Sequence, residues 1–238
     1  MKQGIIIGAS SGIGWELAVQ LAAKGYQLGL VARRLDKLEM LSNSLPGDHF
    51  VAQADVSEAE VAQDTLSKLI ETMGNVELIV LNSGVGQQEK KLDWDIEREM
   101  IDVNIRGFAA LTVVSMNYFK RRENGHLVGI SSVAAHMSGG LAPTYAATKA
   151  FVSSYFNGMR SRAEYSKLPI TVTTVEPGFV DTPMVQGSPI WTATVEKAVA
   201  QLVPAILNKK GHIYITKRWR YVAWLLNIIP KWLMRRLF

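Results

Sequence analysis

Tyr145 and Lys149 stand four residues apart in the stretch Thr144-Tyr-Ala-Ala-Thr-Lys-Ala150, so on a helix they share one face. A free phenol, with a pKa of about 10, is a poor proton donor or acceptor near neutrality. An ammonium beside it favours the phenolate and should lower that value. Thirteen residues before Tyr145, Ser132 closes an apolar run, Gly125-His-Leu-Val-Gly-Ile-Ser-Ser132. A hydroxyl that holds a carbonyl oxygen and a phenol that delivers a proton to it would together polarise a carbonyl group. Ser131 could be mistaken for Ser132, but alternation along a strand sends the two to opposite faces, and the spacing to Tyr145 favours Ser132.

A second set of residues suggests what such a pair would work beside. Gly8-Ala-Ser-Ser-Gly12-Ile-Gly14 follows a short apolar run and precedes a helical pattern. Glycines there let the backbone turn tightly and approach a pyrophosphate, whose charge meets the N-terminus of the following helix. The spacing Gly-x3-Gly-x-Gly differs from the more familiar G-x-G-x-x-G. Ser10 and Ser11 could donate to phosphate or cap the helix. Nineteen and twenty residues past Gly14 stand Arg33 and Arg34, where an acid would suit the ribose of NAD and an arginine suits the 2′-phosphate of NADP. The reading is NADP(H), with NAD(H) second.

Positioning these residues requires a particular scaffold. Runs at 4–8, 26–32, 49–56, 76–84, 125–132, 170–178 and 211–216 read as strands, the first of them short and apolar as expected of a parallel strand buried on both faces. Between them, helical spacing covers 13–24, 34–44, 57–73, about 95–120, 143–165 and 192–207, with Ser57 and Glu60 as a capping box for the third helix. Six or seven strands alternating with helices imply right-handed crossovers and a doubly wound α/β sheet of the Rossmann type, whose ligands lie at the carboxyl ends of the strands. Trp15 and Trp94 read as packing residues.

Composition narrows the function further. The 238 residues contain no cysteine, which excludes disulfides and thiolate chemistry and fits a reducing compartment. Four histidines are scattered without ligand-like spacing, so no metal is expected. The N-terminal run Met1-Lys-Gln-Gly-Ile-Ile-Ile7 is too short for a signal peptide. The net charge of +5 is concentrated: residues 217–238 hold six of the 26 basic side chains and none of the 21 acidic ones. A surface-wide nucleic-acid footprint is therefore not expected.

Taken together, these motifs resemble the short-chain dehydrogenase/reductase family, in its single-domain branch, over roughly residues 3–216. Gly8, Gly12 and Gly14 stand in its TGxxxGxG motif, with Ile7 in place of the threonine. Asp55 and Val56 match the adenine-contacting segment, and Leu81-Asn82-Ser83-Gly84 stands where the family has NNAG. Asn104, in Asp-Val-Asn-Ile-Arg-Gly, matches the family's asparagine, which holds a proton-relaying water; Ser132, Tyr145 and Lys149 match its serine and YxxxK pair; Pro177, Gly178 and Thr182 match the segment that binds the nicotinamide carboxamide. The resemblance implies Asn104, Ser132, Tyr145 and Lys149 as catalytic residues. It implies contacts to NADP(H) from Gly8, Ser10, Ser11, Gly12, Ile13, Gly14, Arg33, Arg34, Asp55, Val56, Asn82, Gly84, Tyr145, Lys149, Pro177, Gly178, Val180 and Thr182. The implied reaction is reduction of a ketone, aldehyde or acyl carbonyl, or oxidation of the alcohol, by a cytoplasmic homodimer or homotetramer. A non-catalytic dinucleotide-binding sensor of the same fold is the competing reading.

Two segments carry specificity. Thr182 to Thr192, with Met184, Val185, Ile190 and Trp191, reads as a short apolar substrate loop, and His136 as either a substrate contact or a solvated side chain. The extension 217–238 joins its six basic residues to three tryptophans and is interrupted by Pro230. It suits packing on the domain or on another subunit, with a membrane interface as the alternative.

Overall fold

A computed structural model describes residues 2–87, 92–137, 140, 142–184, 191–230 and 232. Seven parallel strands form one sheet in the order β3-β2-β1-β4-β5-β6-β7. The strands are β1 (Lys2–Ile7), β2 (Tyr26–Ala32), β3 (Phe50–Gln53), β4 (Val76–Leu81), β5 (Gly125–Ile130), β6 (Ile170–Pro177) and β7 (His212–Ile215). The chain winds outward from β1 to β3, returns to β4 on the other side of β1, and winds outward again. The switch point therefore lies between the carboxyl ends of β1 and β4.

Both faces of the sheet are covered, which is why β1 is apolar on each of its sides. Ile6 of β1 joins one core with Leu17 and Leu21 of α1 (Gly12–Ala22), Leu38 and Leu41 of α2 (Leu35–Ser44), and Leu202, Val203 and Ile206 of α7 (Val195–Leu207). Its neighbours Ile5 and Ile7 join the other, with Leu66 and Ile70 of α3 (Ala59–Met73), Phe108 and Leu111 of α5 (Phe108–Arg122), and Val152 and Phe156 of α6 (Pro143–Ser166). One residue of shift in β1 would exchange the two sets.

Several boundaries differ from the sequence reading, and the differences fall at the strand tips. Gly8, Asn82–Gly84, Ser131–Ser132 and Gly178 lie beyond the ends of the strands assigned to them. Freed from the ladder, their backbone can bend into the crevice instead of continuing the sheet. The long helix expected over 95–120 is α4 (Trp94–Ile101), a π-helical stretch (Asp102–Gly107) and α5 in succession. Ser57 does not cap α3. Its backbone N–H and its hydroxyl both donate to Asp55 Oδ1, at 2.9 and 2.7 Å, and Glu58 occupies the cap position without a side-chain bond. Trp94 is exposed rather than packed, whereas Trp15 packs against the core.

The basic extension begins with α8 (Trp219–Ile228), which docks on β7 and on a 3-10 turn (Val133–His136). Trp219, Ala223 and Leu226 form its buried face. A Cβ at Gly178 would lie 2.0 Å from the Trp219 indole, so only glycine lets the two elements meet. Phe179 and Trp191 contact the same indole edge-on. The opposite face exposes Tyr221, Trp224, Leu225 and Ile228. Among the described residues no helix is long and apolar enough to cross a membrane.

Candidate active site

A cleft of about 690 Å³ runs across the carboxyl ends of the strands. At its floor the chain leaves β1 through Gly8, whose φ is +89°, and a Cβ there would lie 2.7 Å from the Ser83 amide nitrogen. Asn82 Nδ2 donates to the Gly8 carbonyl at 2.9 Å and so fastens this turn to the end of β4. Gly14 packs on the same carbonyl, which a Cβ would approach to 2.1 Å. Each expected cofactor contact lines the cleft apart from Gly14, which supports the turn from behind.

The two arginines are not equivalent. Arg33 Nη1 lies 3.7 Å from both Asp55 and Glu99, so two carboxylates share its charge. Arg34 Nη2 donates to Ser10 Oγ at 2.9 Å and Ser11 Oγ at 3.0 Å, beside the glycine turn. Neither serine hydroxyl caps α1; both accept from Arg34. Arg34 thus holds the stronger uncompensated positive charge at this end of the cleft.

At the other end, Tyr145 lies beside Ser132, which favours its ionised form, and Lys149 Nζ lies 5.7 Å from the Tyr145 ring centroid. Ser132 initiates the 3-10 turn, accepting from the Ala134 amide at 3.1 Å. Its neighbour Ser131 points elsewhere, to Ser153 and the Lys149 carbonyl, each at 2.8 Å. Lys149 is buried and donates to the Ile130 carbonyl at 3.2 Å. Burial alone brings its pKa down to about 8.

The acidified phenol expected from the Tyr145–Lys149 spacing is not what this arrangement holds. Burial pushes the Tyr145 phenol above its ordinary value, against the opposing effect of Ser132. The physical reason is common to both residues. Removal from water disfavours phenolate and ammonium alike, and the ammonium is aimed at a backbone carbonyl rather than at the phenol oxygen.

Asn104 sits in the π-helical stretch, is 1% exposed and does not line the cleft. Its Oδ1 accepts from the Val85 amide at 2.9 Å, and its Nδ2 donates to the Val85 carbonyl at 2.7 Å and to Thr148 Oγ1 at 3.1 Å. The side chain clamps the segment after β4 over the site and ties it to α6 one residue before Lys149. A π-turn, which shifts the side-chain register of a helix, is a common device at functional sites.

Pro177, Gly178, Val180 and Thr182 line the remaining wall. The backbone around Val180 is held by Asp181 donating to the Ala193 carbonyl and Ala193 donating to the Phe179 carbonyl, at 2.9 and 3.0 Å. Met184 lines the cleft, whereas Val185 and Ile190 lie outside the described residues and Trp191 packs on Trp219. Next to Tyr145 a smaller hollow of about 160 Å³ is bounded by Val133, Ala134, Met137, Ala142, Phe179 and Met184.

His136 neither lines the cleft nor faces water alone. Its Nε2 donates to Glu176 Oε2 at 2.7 Å. In the sequence Glu176 reads as one more residue of a strand. The available signal was a lone carboxylate in an otherwise uncharged run, Ile170-Thr-Val-Thr-Thr-Val-Glu-Pro177.

The sheet and its cleft define a Rossmann-type protein with a nucleotide-shaped site at the topological switch point. The chain belongs to the short-chain dehydrogenase family of oxidoreductases, whose description, short chain dehydrogenase, is matched by residues 2–193. An uncharacterised oxidoreductase of Mycobacterium tuberculosis is 33% identical over 244 aligned positions, covering 98% of this chain and 95% of the relative. One of Staphylococcus epidermidis is 28% identical, covering 91% and 95%. Among solved structures, an alcohol dehydrogenase from Thermococcus sibiricus complexed with 5-hydroxy-NADP superposes with a TM-score of 0.80 at 26% identity, covering 90% of this chain and 96% of that one. A short-chain dehydrogenase from Sphingobium yanoikuyae in complex with NADPH gives a TM-score of 0.83 at 22% identity, covering 97% of each chain, a likeness of fold.

Proposed function

We propose that this chain is an NADP(H)-dependent reductase of small apolar carbonyl compounds, working reversibly on the corresponding alcohols. The observation that carries this reading is the convergence of Ser132, Tyr145 and Lys149 at one end of a cleft whose other end pairs a glycine turn with Arg34. The residues fit the dinucleotide: Gly8 and Gly14 let the turn fold tightly onto itself and onto Ser83, which a Cβ at either would prevent, and so bring backbone to the cleft floor, and Arg34 offers a planar donor fork for a 2′-phosphate. The cofactor supplies the hydride.

The chain's own residues do the rest. The Ser132 hydroxyl donates to the substrate oxygen and orients it. Tyr145 gives its proton to that oxygen as negative charge develops there, and a phenol kept protonated by burial is the form this direction requires. Lys149, its ammonium held at the Ile130 carbonyl, lines the cleft beside Tyr145 and can bind a ribose hydroxyl. The apolar hollow beside Tyr145 takes the hydrophobic side of the substrate.

The exposed face of α8 extends the reading to a partner. Tyr221, Trp224, Leu225 and Ile228 lie outward on a chain with no acidic residue after Glu196. An unpartnered aromatic and aliphatic face among cations is complementary to the interface of an anionic lipid layer. The protein would then be cytoplasmic and peripheral at a membrane.

The experiment that tests the reaction is oxidation of NADPH and NADH with a panel of ketones, aldehydes and acyl thioesters, comparing the enzyme with Tyr145→Phe. The variant should keep cofactor affinity and lose turnover by about 10²-fold or more, the contribution of a positioned proton donor. Cofactor binding with no turnover of the panel by the unmodified protein would support the sensor reading instead.

A further inference from the structure

Glu176 precedes Pro177 at the tip of β6, and the residue is 1% exposed. A carboxylate so placed must be met by donors. Ser153 Oγ donates to Oε1 at 2.7 Å; His136 Nε2 and His212 Nε2 lie 2.7 and 3.4 Å from Oε2. Burial, together with the same carboxylate, raises the pKa of the Tyr214 phenol to about 12. Burial opposes the charge, yet the bonds from His136, His212 and Ser153 outweigh it and hold Glu176 ionised, with a pKa brought down to about 2.

The donors come from α6, the 3-10 turn and β7, and each leads onward. Ser153 lies 2.8 Å from Ser131 Oγ, which also reaches the Lys149 carbonyl at 2.8 Å. A single bond therefore joins Glu176 to the helix that carries Tyr145 and Lys149. His136 ends the turn that Ser132 begins, and its Nδ1 lies 3.3 Å from Asn227 Oδ1 on α8. The residue that follows Glu176 presents its own carbonyl, that of Pro177, 3.5 Å from Ser132 Oγ.

We propose that Glu176 is a positioning residue for the reaction proposed above, registering α6 against the Ser132 turn so that phenol and hydroxyl meet one substrate oxygen. A buried ion pair is a weak source of stability compared with apolar packing of the same volume. Its directional bonds do fix relative position, and here they join the two segments on which the reacting groups are mounted, the Ser132 turn and α6, to the tip of β6. This inference rests on the proposed reaction, so its test includes a readout that needs no turnover.

Glu176→Gln keeps the volume and removes the charge that His136, His212 and Ser153 share. Its kcat should fall roughly ten- to hundred-fold, the effect of misplacing reacting groups by a fraction of an ångström, while KM for NADPH changes less than about three-fold. The enhanced fluorescence of bound NADPH, which reports on the nicotinamide end, should weaken in parallel. Ser153→Ala should show the same pattern more mildly and add little to Glu176→Gln in the double variant, because both cut one chain of bonds. Lower thermal stability with kcat and bound-cofactor fluorescence both unchanged would overturn the proposal. If Glu176→Gln does not fold, Ser153→Ala is judged by the same criteria. If the unmodified protein reduces no carbonyl, the proposed reaction fails and the fluorescence comparison alone decides for or against the positioning role.

Discussion

Replacing Lys149 by methionine should make the cofactor-free protein more stable and functionally worse. The ammonium is 5% exposed, its Ile130 bond is the one found for it among the described residues, and burial is the sole cause that brings its pKa from 10.5 to about 8. At about 1.36 kcal/mol per pKa unit, that fall sets about 3 kcal/mol against the charged form in the folded chain. Methionine fills a similar volume without charge but loses the bond to Ile130, worth about 1 kcal/mol, so a net gain of about 2 kcal/mol is expected at pH 7. The sign of the pH dependence follows from linkage. Between about 8 and 10.5 the unfolded chain binds the proton and the folded chain does not, so the unmodified protein gains stability as pH rises through that window. The penalty is fully present below 8 and gone above 10.5, where the unmodified protein should draw level with Lys149→Met or pass it. Urea unfolding of both proteins at pH 7 and pH 10, read as a difference so that other titrations cancel, measures this directly. Adding NADPH at about a hundred times its Kd should stabilise the unmodified protein by about 2.7 kcal/mol and the variant by distinctly less. A variant less stable than its parent at pH 7, or a gap that does not change with pH, would refute the reasoning.

The other predictions concern the two ends of the molecule. Arg34→Ala should raise KM for NADPH roughly ten- to hundred-fold, the worth of a charged hydrogen bond to phosphate, and leave NADH nearly unaffected. Arg33→Ala should discriminate less, since Asp55 and Glu99 already share its charge; equal losses with both cofactors would remove the 2′-phosphate reading. On α8, the combined change Trp224→Ser, Leu225→Ser and Ile228→Ser should abolish sedimentation with phosphatidylglycerol vesicles while leaving NADPH oxidation intact. Deleting the whole extension would be a poor substitute, because Trp219 packs on Gly178 at the cleft. Undiminished sedimentation would dismiss the lipid contact, and a change in oligomeric state instead would make that face a subunit interface.

How much of this was readable from the chain depends on where the controlling physics is local. A glycine turn, a strand tip and a four-residue helical spacing are written in neighbouring residues, so the sheet and the positions of Ser132, Tyr145 and Lys149 could be read directly. Asn104 was legible as a residue but not in its posture. A shift from i→i−4 to longer bonds over Asp102–Gly107 leaves the apolar periodicity of the flanking helices intact, and only the fold shows that the amide clamps Val85. The phenol's acidity was misread for a related reason. Spacing says which charges are near, whereas a pKa also depends on how much water both groups have lost, and burial belongs to the whole domain. Glu176 is the extreme case. Its partners His136, Ser153 and His212 are separated from it by 40, 23 and 36 positions, and no local pattern joins them. A charge inside an apolar parallel strand is the one trace such a network leaves, because the sheet excludes it unless other elements converge to receive it. The tail shows the same logic at its surface. The apolar residues of Trp219–Ile228 belong to two faces of one helix, so packing on the domain and an outward hydrophobic face are compatible features of α8, where the composition had made them look like alternatives.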